Sequence, residues 1–214
     1  MDSTDSFKES IKILNDYPDP YNNLGTVMSI KGNYEEAIKL FKTAIRINPK
    51  FSQAYYNLGN VYKDINESEL AIQAYKNTIR TNTSFYQALN NLGVIYKDIG
   101  DFENSIEYLK RAIKCNPEYI EAINNLGISL KLIGKKDKAL SSFKQVIKID
   151  PSNKEALNNL AIIKYEKGEN ENSINDFKQI IKNYPQYSEA YNNLGVVYKK
   201  INKLDIAINY FQKA

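Results

Sequence analysis

Hydrophobic residues return along this chain in two alternating helical registers. Tyr21, Leu24, Gly25 and Met28 are spaced by three and four, which places them on one face of a helix. Ala37, Ile38, Phe41, Ala44 and Ile45 have the same spacing shortly afterwards and predict a second helix. Gly32 lies between the two, and its equivalents further on are Asn66, Gly100, Gly134, Gly168 and Asn202. Glycine and asparagine tolerate the left-handed conformation that closes a helix, so this position predicts a tight turn. Pro49, Pro117, Pro151 and Pro185 then stop the second helix. The predicted unit is helix, turn, helix, stop, and the fold class is all-α.

The unit repeats with a fixed interval. Asn23, Asn57, Asn91, Asn125, Asn159 and Asn193 each precede a leucine and stand 34 residues apart, with no insertion. Counting from Pro18 puts Gly25 at position 8 and divides the chain into repeats at 18–51, 52–85, 86–119, 120–153, 154–187 and a truncated 188–214. Residues 1–17 read as the second helix of a partial repeat, because Phe7 to Ile11 aligns with Phe41 to Ile45. Asp2, Ser3 or Thr4 is positioned to cap it. Ala214 falls at position 27, where no polar capping helix has followed, so a longer protein is expected on that side. Within the repeat, the small residue at position 8 is expected to face the alanine or serine of position 20, letting the helices approach closely. Alanine at position 3 and isoleucine at position 28 suit contact with the neighbouring repeats.

Two repeats depart from the pattern. Repeat two has Thr83 in place of the stop proline and Thr78 at a small-residue position, which predicts a looser junction. Repeat five has Ala161 for glycine and Lys164 in place of the usual tyrosine.

Composition narrows the chemistry. With 43% hydrophobic residues in 214, a substantial core can form, and no apolar run reaches the roughly 18 residues a membrane span requires. The polar, acidic start does not resemble a signal peptide. Cys115 is the single cysteine, which excludes an internal disulfide and favours a reducing, cytoplasmic setting. It occupies a position held by Ile47 and Ile149 elsewhere, so a buried small hydrophobe is expected there. Histidine is absent, one cysteine cannot build a zinc site, and there is no phosphate-cradling glycine loop. No metal, no cofactor and no catalysis are expected of this segment. Net charge is only +4, with lysines alternating with acids, which argues against nucleic acid as partner. The triplets at Asn66 and Asn82 match glycosylation acceptors, as an asparagine-rich chain produces by chance.

The 34-residue period and the recurring aromatic, Leu-Gly, Tyr, Ala, Phe and Pro positions resemble the tetratricopeptide repeat. That resemblance implies a right-handed superhelix, or solenoid, of antiparallel helix pairs acting as a binding scaffold. The doubled Asn-Asn-Leu-Gly is also similar to arrays preceding the catalytic region of O-linked N-acetylglucosaminyltransferases. It therefore implies a second reading, a substrate-recruiting part of a larger glycosyltransferase-like enzyme.

In the resembled family, first-helix positions left over from the core line the concave surface. Position 6 holds Asn23, Asn57, Asn91, Asn125, Asn159 and Asn193, and position 5 adds Asn22, Asn90, Asn124, Asn158 and Asn192, interrupted by Tyr56. A carboxamide offers both donor and acceptor, matching the N–H and C=O of an extended peptide. Asparagine at position 6 also has a purely structural reading, as a bond to a neighbouring backbone. Six such bonds at about 0.5–1.5 kcal/mol each scarcely offset the roughly 4–15 kcal/mol that association costs. Position 12 offers more, because Lys63, Lys97, Lys131 and Lys199 favour acidic or phosphorylated segments. The competing fate of those lysines is pairing with Asp19, Glu121, Glu155 and Glu189 at position 2. The carboxylate clamp of the family's chaperone-binding members is not present at the corresponding positions. The expected partner is a protein or peptide of acidic character, with self-association through the uncapped C-terminal helix as a further possibility.

Overall fold

The computed structural model describes residues 16–214, so the partial helix expected near Phe7 and its caps lie outside the described residues. Twelve helices and no strands are found among the described residues. They divide into two compact units, one ending at Pro117 and the other spanning Glu118–Ala214. In the first unit, α1 (Pro18–Ile30) pairs with α2 (Tyr34–Ile47), α3 (Ser52–Asp64) with α4 (Ser68–Thr81), and α5 (Tyr86–Asp98) with α6 (Phe102–Cys115). In the second, α7 (Ile120–Leu132) pairs with α8 (Lys136–Ile149), α9 (Lys154–Glu166) with α10 (Asn170–Asn183), and α11 (Ser188–Lys200) with α12 (Leu204–Phe211).

The turn inside each pair follows from its left-handed residue. Gly32 has φ of 78°, and Asn66 takes the same conformation at 62°. The next residue then donates its N–H to the carbonyl five positions back, as Asn33 does to Met28 and Glu67 to Tyr62. This closure satisfies carbonyls that a helix end otherwise leaves open.

Between pairs, the chain is redirected by side chains as well as proline. Asn48 Oδ1 accepts from the Lys50 N–H at 3.0 Å and Asp150 Oδ1 from the Ser152 N–H at 3.0 Å. At the proline-free junction, Asn82 Oδ1 accepts from the Ser84 N–H at 3.1 Å, and α4 still ends at Thr81. An aspartate or asparagine turn is enough to leave the helix here. The second helix therefore ends here without the proline. Thr78 is fully buried, and its hydroxyl donates to the Ala74 carbonyl.

Close approach of the paired helices has a different counterpart from the expected one. A Cβ on Gly25 would lie 2.8 Å from the Phe41 ring, one on Gly59 2.7 Å from Tyr75, and one on Gly127 2.7 Å from Phe143. Position 8 is small chiefly because the large residue at position 24 fills the space above it; position 20 adds to this in repeat three, where the Ser105 carbonyl oxygen would lie 3.2 Å from a Cβ on Gly93. Those rings are the largest fully buried side chains of the core.

Cys115 is a correction. It is exposed, not buried. Ile47 and Ile149 at the equivalent position are themselves only half-buried, so the last residue of the second helix sits at the rim of the core.

Candidate functional site

Helical phase brings the asparagine row together within each unit, because position 6 and position 5 of successive first helices face one another. In the first unit, Asn57 Nδ2 donates to Asn22 Oδ1 at 2.9 Å, while Gln53 Nε2 donates to Asn57 Oδ1 at 3.0 Å. Asn22 is buried at 6% exposure, and Asn57 is half-buried. The position-6 amide thus reaches back to the position-5 oxygen of the preceding repeat.

Tyr56 interrupts position 5, and another residue takes over. Asn91 Nδ2 donates to Asn60 Oδ1 at 3.2 Å and to the Tyr75 hydroxyl at 3.2 Å, and that hydroxyl donates to Asn60 at 2.7 Å. Burial holds the Tyr75 phenol well above its usual pKa, with the bond from Asn91 working the other way. Sequence reasoning missed Asn60, Gln53 and Tyr75. The break at Tyr56 was the available signal, since a missing acceptor must be replaced if the next amide is to stay satisfied. Asn90 is buried, whereas Asn23 and Lys63 are exposed. Lys97 is half-buried and pairs with the adjacent Asp98 at 3.2 Å.

The second unit keeps this pattern at its last junction and deviates at its first. Asn193 Nδ2 donates to Asn158 Oδ1 at 3.1 Å, repeating the bond made by Asn57. Asn159 is different. Its Nδ2 donates to the Glu155 carbonyl at 3.0 Å, and its Oδ1 accepts from Lys131 Nζ at 3.0 Å. The oxygen that Asn159 would otherwise meet, Asn124 Oδ1, is buried and, among the described residues, without a hydrogen-bond partner.

These groups line one cavity of about 730 Å³. Its walls come from α7 (Asn124, Ile128, Lys131), α9 (Glu155, Asn158, Asn159, Ile162) and the start of α11 (Ser188, Glu189, Asn192, Asn193). Burial lowers the Lys131 pKa, opposed by the negative charge of Glu166. Tyr187 donates to Glu189 Oε2 at 2.8 Å, and its phenol is pushed up chiefly by burial. Lys131 turns to an amide rather than to an acid at position 2, and of those acids Glu155 lies 4.0 Å from Lys154 while Glu189 accepts from Tyr187. Asn125 is half-buried, while Asn192 and Lys199 are exposed.

Tetratricopeptide repeat patterns match residues 52–82, 86–119, 108–141, 155–187 and 177–209, and a TPR repeat pattern matches 30–66. The chain belongs to the tetratricopeptide repeat family. Its fold is accordingly the all-α helical-repeat class. Solved tetratricopeptide-like structures agree in fold. YrrB, described as a TPR protein with an unusual peptide-binding site, is 24% identical with a TM-score of 0.74, covering 88% of this chain and 97% of that one. MamA is 26% identical with a TM-score of 0.71, covering 77% and 90%. PilF of Pseudomonas aeruginosa is 21% identical with a TM-score of 0.76, covering 90% and 88%. None of the curated proteins matches this tetratricopeptide repeat chain.

Proposed function

We propose that this tetratricopeptide repeat chain is a protein-interaction scaffold that holds an extended, acidic peptide segment along its asparagine- and lysine-bearing first helices. The observation that carries the reading is Asn124 Oδ1, buried without a partner in the wall of the 730 Å³ cavity. An unsatisfied buried acceptor costs about 1–3 kcal/mol, and a backbone N–H of a bound peptide would remove that cost. Lys131, half-buried beside it, supplies charge where a peptide carboxylate gains most from reduced screening. YrrB, described as having an unusual peptide-binding site, supports the same class of ligand. Scaffolding of this kind requires no catalytic group.

Selection of random displayed peptides against the protein tests the reading. Recovered sequences are expected to be enriched in Asp and Glu, and Lys131→Ala should weaken their binding at least tenfold, about 1.4 kcal/mol. Asn124→Leu should also weaken binding while leaving the free protein as stable as before or more so. Peptides without acidic bias that bind both variants as well as the parent would reject the proposal.

A further inference from the structure

Repeat five carries departures that converge on one place, away from the asparagine row. In repeats three and six, a tyrosine pair stacks between the two helices: Tyr96 on Tyr108, and Tyr198 on Tyr210, with centroids 5.5 and 5.6 Å apart and planes within 3°. Tyr191 approaches Tyr210 at 6.5 Å, so positions 4, 11 and 23 meet at a common seat. Cations cover these rings: Lys178 lies over Tyr198, and Arg111 over Tyr108.

In repeat five the same three positions are Leu157, Lys164 and Asp176. The rings are gone, and Lys164 Nζ instead meets Asp176 Oδ2 at half-exposed positions. What remains is a cleft of about 300 Å³ whose apolar walls include Pro151, Leu157, Leu160 and Ile180. Ala161 adds to the opening. In the other repeats a Cβ at this position would press on the residue of position 24 at 2.5–2.8 Å, yet here Ala161 and Phe177 are both fully buried. The α9 and α10 backbones must therefore stand slightly further apart than their counterparts.

We infer that this cleft is a second binding site that takes a tyrosine side chain from a protein partner. The chain itself shows what the seat accepts, because its own tyrosines fill it twice. Charge complements the choice. Lys164 offers a cation to a ring face, and the Asp176 carboxylate can accept the phenol O–H. Lys144 stands where Lys178 stands relative to Tyr198, available to cover an incoming ring from the preceding repeat. None of the cleft residues belongs to the asparagine–lysine row, so the site stands independently of peptide binding there.

Methyl NMR with p-cresol, the tyrosine side chain as a free molecule, tests the assignment. Saturable shifts are expected at Leu157, Leu160 and Ile180, with cyclohexanol giving much weaker ones. The double variant Lys164→Tyr, Asp176→Tyr restores the stacked pair and should abolish the shifts. Gln179→Phe, at the exposed mouth, provides a second block with the same expected result should the double variant fold poorly. Absence of shifts in the parent, equal response to cyclohexanol, or shifts that survive blocking in a folded variant would each overturn the site.

Discussion

One methyl group at Gly93 shows how tightly a repeat is closed. A Cβ there would lie 2.5 Å from Leu109 Cγ and 3.2 Å from the Ser105 carbonyl oxygen. Overpacking of this kind costs about 1–3 kcal/mol, while replacing a mid-helix glycine by alanine returns about 1 kcal/mol of propensity. Gly93→Ala should therefore destabilise the protein by about 1 kcal/mol, read as a lower urea midpoint at unchanged slope. An unchanged midpoint would mean that Leu109 swings clear, as the packing around Ala161 has done in repeat five. Lys131 makes a pH-dependent prediction. Its pKa is lowered in the folded chain, so between that value and the ordinary lysine range the unfolded chain binds more protons. Its own contribution to stability thus rises as pH increases through that window. Acidic-peptide binding has the opposite slope, since it needs the ammonium. Affinity should decline at a lower pH in the parent than in Lys131→Arg, and coincident profiles would contradict that role.

Among the elements, the junction after α4 separates what proline does from what the preceding residue does. Asn82 is extended, at φ −143° and ψ 100°, a conformation that the residue before a proline readily takes. The Asn82 turn already stops the helix, and four other junctions place proline where Thr83 stands. Thr83→Pro should stabilise by about 0.4–1 kcal/mol, mainly by restricting the unfolded chain. A thermal melt reads this directly, and a drop in midpoint would show that Thr83 is not in a proline-compatible conformation. Helix ends, turns and core faces were legible in the sequence because each is set by residues within one or two turns of each other. The identity of the residue above position 8 was not. Spacing places Ala37 and Phe41 on the same helical face, and only packing decides that Phe41 covers Gly25.

Across the molecule, repeats contribute stability roughly as a sum of local terms, so a weak repeat opens on its own. Repeat five has a half-exposed ion pair where repeats three and six have stacked rings, and ion pairs open to solvent contribute little. Native-state hydrogen exchange should find α9 and α10 less protected than α5 and α6, and equal protection would remove the link between the cleft and loosened packing. No helix among the described residues is long and apolar enough to cross a membrane. By itself the sequence determined the period, the two helices of every repeat, the turn between them and the register that gathers asparagines on one side. Those properties follow from spacing within a short stretch of chain. Tertiary structure alone decided which partner each amide takes. The bonds joining Asn57 to Asn22, Asn91 to Asn60 and Lys131 to Asn159 link residues 35, 31 and 28 apart. Such pairs meet only once neighbouring helices have stacked, and a small change in side-chain reach is enough to leave Asn124 with a buried oxygen and nothing to bond.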